Sequence, residues 1–169
     1  MTADIELRDA GIRDVDAIAN LWYEGWRDGH VGHVPDGLLG HRRAEHFRER
    51  VPPRLQQTTV ATIDSGIVGF VTVIDNEVEQ IYVDRNARGG GVASSLLRHA
   101  EATIAGRFEL AWLAVATGNA RARRFYSRNG WRDAGAFDYG AEIAGGTFVV
   151  PCHRYEKTLA TAGDKLIRC

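Results

Sequence analysis

Apolar residues recur along this chain in two rhythms, and each change of rhythm marks an element. IELRDA, from Ile5 to Ala10, reads as a short opening strand. After Asp14, the expected helix cap, Val15, Ile18, Ala19, Trp22 and Trp26 are spaced 3, 1, 4 and 4 residues apart, one stripe on a helix. RDGHVGHVPDG breaks that helix. A polar, arginine-rich stretch, LLGHRRAEHFRER, predicts a second one, ended by Pro52-Pro53.

Strand-like runs follow. TTVATID and IVGFVTVID flank Ser65-Gly66 and predict a β-hairpin, and VEQIYVD follows the Asp75-Asn76 turn as a further strand. ARGGGVASSLLRHAE then opens a helix running to Ala105. The apolar strand ELAWLAVA comes next, and Asn119 starts the helix ARARRFYSRN, with Gly130 just past its end. WRDAGAFDY and TFVVPCHRYEKTL close the pattern as two strands, and ATAGDKLIRC is a small, polar, loosely ordered tail. No repeat or linker interrupts the order, so one domain is expected over residues 1–159, with a tail over 160–169.

Composition changes this picture little. Lys plus Arg number 21 and Asp plus Glu 22, so no net field draws the chain to nucleic acid or to an anionic membrane. No apolar run approaches a membrane span, and the opening residues do not resemble a signal peptide, so a cytoplasmic protein is expected. Cys152 and Cys169 lie far from any metal-ligand spacing and are expected to be reduced thiols.

The three glycines before a helix are the local anomaly. Each glycine in a helix forfeits about 1 kcal/mol against alanine, so a compensating interaction is expected. A strand, a glycine turn and a helix start together form an anion site, because unpaired N–H groups converge there and the helix dipole favours negative charge. Arg85 and Arg88 add to it. A P-loop would need Gly-Lys-Ser/Thr where the chain has Gly91-Val92-Ala93, and a dinucleotide fingerprint would need glycine at Ser94.

VEQIYVDRNARGGGVASSLL resembles the acetyl-CoA signature of the GNAT superfamily of N-acetyltransferases, an Arg/Gln-x-x-Gly-x-Gly/Ala loop read here as Arg88-Gly89-Gly90-Gly91-Val92-Ala93. AVATGNARARRFYSRNGW resembles the family's fifth strand and following helix, with Asn119, Phe125, Tyr126, Gly130 and Trp131 at matching spacing. The resemblance implies an α/β (α+β) fold: a mixed, mostly antiparallel sheet of six or seven strands flanked by about four helices, splayed between the fourth and fifth strands. It implies acetyl-CoA as co-substrate, with its pyrophosphate on the N–H groups of Gly89 to Ser94 beside Arg88. The pantetheine arm would run along Ile81, Tyr82 and Val83, and Asn119 and Tyr126 would complete that site. It also implies acetyl transfer to a primary amine of a small molecule or peptide by direct attack. A homodimer stays open, as does a non-catalytic acyl-CoA-binding sensor. A phosphate-binding enzyme of another kind would require ATP or a similar ligand.

The chemistry needs a neutral amine, an oxyanion donor and a proton for the departing thiolate. Family members place a tyrosine at the position of Tyr126 for the last task, and a phenol of pKa about 10 is protonated at neutral pH. Glu77 and Glu79 stand two apart, hence on one strand face, and either is a candidate base. Glu79 is the nearer to Ile81 and Val83. The acceptor pocket is expected between the first two helices, from Trp22, Trp26, His30 and His33 with Arg42 and Arg43, and from Phe137 in the last hairpin. No carboxylate or cysteine accompanies the two histidines, so no metal is expected.

Overall fold

The structure is a computed structural model that describes residues 3–160. The expected C-terminal tail, Ala160 apart, lies outside the described residues. Seven strands form one sheet: β1 (Glu6–Asp9), β2 (Thr58–Ile63), β3 (Gly66–Ile74), β4 (Glu77–Val83), β5 (Leu110–Ala116), β6 (Arg132–Ile143) and β7 (Gly146–Thr158). Four α-helices flank it: α1 (Val15–His30), α2 (Ala44–Arg50), α3 (Val92–Ala105) and α4 (Ala120–Arg128). Strand order is β1-β2-β3-β4-β5-β7-β6, antiparallel throughout except for β4 with β5. This is the mixed, mostly antiparallel sheet expected from the sequence. No helix among the described residues is long and apolar enough to cross a membrane.

Three local expectations are corrected. Asp14 does not cap α1 through its side chain. It ends a 3-10 turn (Ile12–Asp14), and its carboxylate turns back to accept hydrogen bonds from the Arg8 guanidinium at 2.8 and 3.0 Å and from the Gly11 N–H at 2.8 Å. The arginine-rich helix is split: Asp36–His41 is a 3-10 turn, and only Ala44–Arg50 is α-helical. Gly37 and Gly40 in that turn make a continuous α-helix costly. The first of the closing strands runs longer than expected, because β6 pairs with β7 from Arg132↔Glu156 to Ile143↔Gly146 across a two-residue turn.

Both faces of the sheet are covered. On one, Leu96, Leu97, Ala100 and Ile104 of α3 pack with Val71, Val78 and Leu113. On the other, Ile18, Trp22 and Trp26 of α1 meet Phe47 of α2 and Phe70 of β3. Large apolar side chains buried this fully contribute about 1.5–3 kcal/mol each, so both helix layers are held firmly and the sheet between them is a rigid platform.

The platform is deliberately incomplete at its centre. β4 and β5 pair only at Glu77↔Trp112, where the Trp112 N–H donates to the Asn76 carbonyl at 3.0 Å. Beyond that point the two parallel strands diverge. β4 also carries a bulge: Thr72 pairs with Gln80 but Val73 pairs with Val78, leaving Glu79 as the extra residue. The bulge switches the faces. Val78, Ile81 and Val83 pack on the α3 side, whereas Glu77 and Glu79 turn away from it, to Tyr139 of β6 and to Arg54 in the turn after α2.

Candidate active site

At one end of the gap, α3 begins without a side-chain cap. Asp84 closes the preceding turn (Arg85–Ala87), its carboxylate accepting from the Asn86 N–H at 2.8 Å. Gly89 and Gly91 then take φ of +82° and +88°, a region that disfavours any residue with a Cβ. Nothing lies within 4 Å of where a Cβ on either would be, so the backbone there is reachable from outside. The first-turn N–H groups of α3 therefore face an accessible concavity. Arg85 and Arg88 flank it, both paired with Asp28 of α1, the Arg88 contact at 3.1 Å. Burial opposes ionisation of Asp28, but the two guanidinium groups hold its carboxyl below the usual range. These residues suit a large polyanion such as the pyrophosphate of a coenzyme.

From this cradle the gap leads inward as a cavity of about 700 Å³. The Asp84 N–H donates to Val68 of β3, so by ladder alternation the Tyr82 amide also faces β3, and those of Ile81 and Val83 face the gap. Tyr126 reaches the same cavity from α4. Its ring packs on Phe125, Trp131 and Tyr155, and its hydroxyl makes no hydrogen bond to another described residue. Burial pushes that phenol upward, so it stays protonated across the physiological range. Helix α1 lies close over the gap because it carries glycine where it crosses. A Cβ on Gly25 would collide with the Tyr82 ring, and one on Gly29 would sit 2.8 Å from Asn119 Nδ2. Asn119 itself caps α4, its Oδ1 accepting from the Ala122 N–H.

The other half of the cavity is charged. Arg54 Nε donates to both carboxylate oxygens of Glu79, at 2.9 and 3.0 Å, and Arg54 Nη2 donates to Glu142 at 3.0 Å. Glu77 has no such cation. It accepts a hydrogen bond from the Tyr139 hydroxyl at 3.1 Å. Burial raises the Glu77 carboxyl above its ordinary value, partly offset by that hydrogen bond and reinforced by nearby Glu79. His30 stacks on Trp26 with ring centroids 4.9 Å apart, and its Nδ1 lies 2.8 Å from the Trp26 carbonyl. That contact makes Nδ1 the protonated nitrogen of a neutral ring, and burial lowers the His30 pKa to about 4.

Residues 54–133 match the family model of the acetyltransferase (GNAT) domain. That stretch is what the chain shares with the GNAT acetyltransferase family. The matched stretch runs from the turn before β2 into β6 and contains the glycine loop, α3, β5 and α4. Solved structures share the fold across nearly the whole chain. The GCN5-related N-acetyltransferase from Rhodopseudomonas palustris superposes with a TM-score of 0.73 at 18% identity, covering 94% of this chain and 99% of that one. The PaiA N-acetyltransferase from Thermoplasma acidophilum, in complex with coenzyme A, gives 0.71 at 20% identity over 92% and 99%. The yncA protein of Salmonella typhimurium, solved with acetyl-CoA, gives 0.68 at 14% identity over 94% and 95%. No curated protein sequence matches the chain significantly.

The cavity wall includes most of the residues expected from the sequence. Trp22, Trp26, His30, Glu77, Glu79 and Tyr126 line it, as do Ile81, Tyr82, Val83, Arg88, Gly89, Ala93 and Asn119. Others stand elsewhere. Val92 is buried in the α3 core, and His33 packs its ring against Gly118 in the β5–α4 turn. Phe137 lies edge-on to Trp112 and Tyr139, outside the lining. Cys152 also lines the cavity. Burial pushes its thiol up to about 11, so the nucleophilic thiolate is scarce at neutral pH. Among the described residues no group of three or more His, Cys, Asp or Glu side chains is arranged to hold a metal. Arg50, Arg54, Tyr139 and Glu142 are the site residues that sequence reasoning missed. Two arginines four residues apart (Arg50, Arg54), one on each side of the paired prolines, were the one available signal.

Proposed function

We propose that this GNAT domain transfers the acetyl group of acetyl-CoA to a primary amine by direct attack. The observation that carries the reading is one continuous cavity with an uncapped glycine-started helix at one end, a protonated Tyr126 in the middle and the half-buried Glu77 carboxylate beyond it. That CoA accompanies PaiA and acetyl-CoA accompanies yncA supports the same co-substrate here.

Acetyl-CoA supplies an activated thioester. The α3 N-terminus with Gly89, Gly90, Gly91, Val92, Ala93 and Ser94 binds its pyrophosphate, and Arg88 adds positive charge. The Ile81 and Val83 amides bond the pantetheine arm beside Tyr82, and one of them serves as the oxyanion donor. Glu77 accepts the proton the amine loses as its nitrogen bonds the acetyl carbon. Tyr126 donates its hydroxyl proton to the sulfur as the C–S bond breaks. Glu79, tied to Arg54, holds the floor of the acceptor half rather than moving a proton.

Thermal unfolding in parallel titrations of acetyl-CoA, CoA, ATP and NAD tests the co-substrate. A ligand at 100 times its Kd adds about 2.7 kcal/mol. That corresponds to roughly 5–11 °C for a chain this long. Shifts with acetyl-CoA and CoA alone are expected, followed by thiol release when an amine is added. Binding without release from any amine would favour a sensor over an enzyme.

A further inference from the structure

Three buried side-chain polar atoms among the described residues lack a hydrogen-bond partner: Trp22 Nε1, Arg42 Nε and Arg50 Nε. All three are N–H donors, and all three residues line the acceptor half of the cavity. A buried donor without an acceptor is costly, so what enters this half must bring acceptors. Arg42 is the decisive member. It is only 4% exposed and makes no ion pair with a described residue. Its polar contact is Nη1 donating to the His41 carbonyl at 3.0 Å, and it lies over the Trp26 ring at 6.0 Å.

Glu142 acts on Arg42 only at a distance, without an ion pair or hydrogen bond, and Arg50 and Arg54 oppose it. Arg54 takes Glu79 and shares Glu142 with Arg50, whose Nε is 3.8 Å from that carboxylate. Glu77 is engaged with Tyr139, and the charges acting on it are those of Glu79, Arg154 and Arg54, not Arg42. Three guanidinium groups thus meet two engaged carboxylates, which leaves one buried positive charge in a wall of tryptophan. An unpaired buried charge of this kind is tolerated where a ligand supplies the counter-ion.

We infer that the acceptor is a small amine bearing an oxyanion, carboxylate or phosphate, which sits on Arg42 with the Trp22 and Arg50 N–H groups beside it while the amine points to Glu77. This rests on the acetyl-transfer reading and adds the substrate class to it. The binding half is bipolar: carboxylate at the reacting end, guanidinium at the other. A zwitterion fits it, and a neutral amine or polyamine leaves Arg42 unpaired.

The test is matched pairs of acceptors with acetyl-CoA, followed by thiol release: each proteinogenic L-amino acid against its uncharged carboxamide, and O-phosphoethanolamine against ethanolamine. At least one acid is expected to exceed its neutral partner in kcat/KM by about 10- to 100-fold, the range for a charge-assisted hydrogen bond. Whether the preferred acid is a carboxylate or a phosphate identifies the oxyanion. Arg42→Met should erase the ratio of kcat/KM between the acid and its neutral partner, and Arg42→Lys should retain part of it. If Arg42→Met does not fold, the wild-type pairs decide alone. Neutral amines used as well as their acids would overturn the inference and leave the acetyltransferase reading standing, as would an acetyl-CoA thermal shift without turnover of any acid in the panel overturn the inference. No shift with acetyl-CoA would overturn the reading beneath it.

Discussion

Glu77 and Glu79 leave the same strand two residues apart, yet replacing each with glutamine should disturb different properties. Glu79 is 7% exposed and is bridged by an Arg54 side chain that is 12% exposed. Glu79→Gln removes one charge of a buried pair, which costs about 3–5 kcal/mol because the other is stranded. Arg54 keeps its bond to Glu142, a group 57% exposed, so the loss should fall near about 3 kcal/mol. At about 2–4 °C per kcal/mol, the midpoint of thermal unfolding drops by roughly 6–12 °C.

Glu77→Gln should behave otherwise. Its carboxyl is raised by burial and has no paired cation, and a glutamine carbonyl still accepts the Tyr139 hydroxyl. A carboxyl with a raised folded-state pKa loses stability as pH climbs past the unfolded value of about 4.3, so the uncharged variant is at least as stable at pH 7. Its rate, however, should fall by about 10²–10⁴, the contribution of a positioned base. The assay is kcat/KM for CoA thiol release across pH, with a calorimetric scan of each variant. Wild type and Glu79→Gln should show two ionisations on the acid side, the amine and a carboxyl titrating above the ordinary glutamate value. Glu77→Gln should keep only that of the amine. The assignment is refuted if Glu79→Gln loses the second ionisation while Glu77→Gln retains it, and an unmoved midpoint in Glu79→Gln would deny the Arg54 pair its structural weight.

Two further outcomes follow from single contacts. Tyr126→Phe should lower kcat by about 10²–10⁴ with little change in the acetyl-CoA thermal shift, since only the proton donor is lost; an unchanged kcat where chemistry limits turnover would remove the phenol from the mechanism. Asp14→Asn should cost about 1.5–3 kcal/mol at pH 7, because the 2.8 and 3.0 Å bonds from Arg8 are charge-assisted and Asp14 is buried. Those bonds hold the Asp14 carboxyl below its ordinary value against the opposing effect of burial, so this stability is present above that value and fades as pH falls through the lowered one. Denaturant midpoints of the two proteins should therefore converge in acid, and a constant difference down to pH 2 would falsify the account.

Much of the scaffold is legible in the sequence because its signals are local. A tryptophan stripe at helical spacing, a glycine run before a helix and an asparagine opening another are demands the backbone makes within a few residues. What periodicity could not supply was irregularity. Strict alternation puts Glu77, Glu79, Ile81 and Val83 on one face, but the bulge at Glu79 sends the two glutamates to the α1 side and the two aliphatics to the α3 side. The same bulge makes the site workable. It lets one strand turn its carboxylates into the cavity and its core-facing side chains to α3, while its free amides look into the gap.

The acceptor half stayed hidden for a different reason. Arg54 meets Glu79 across 25 residues, and Tyr139 meets Glu77 across 62. Neither pairing leaves a pattern, since a charged residue in a polar loop reads as solvated until the fold closes over it. Arg42 was placed at the pocket by the sequence, but its distinction was not: between a 3-10 turn and a short helix, only burial without an ion-pair partner sets it apart from Arg43 beside it. The co-substrate end of such a site is written in backbone conformation and so can be read in a single sequence. The acceptor end is written in long-range pairs, and its most informative residue is the one the chain leaves without a mate.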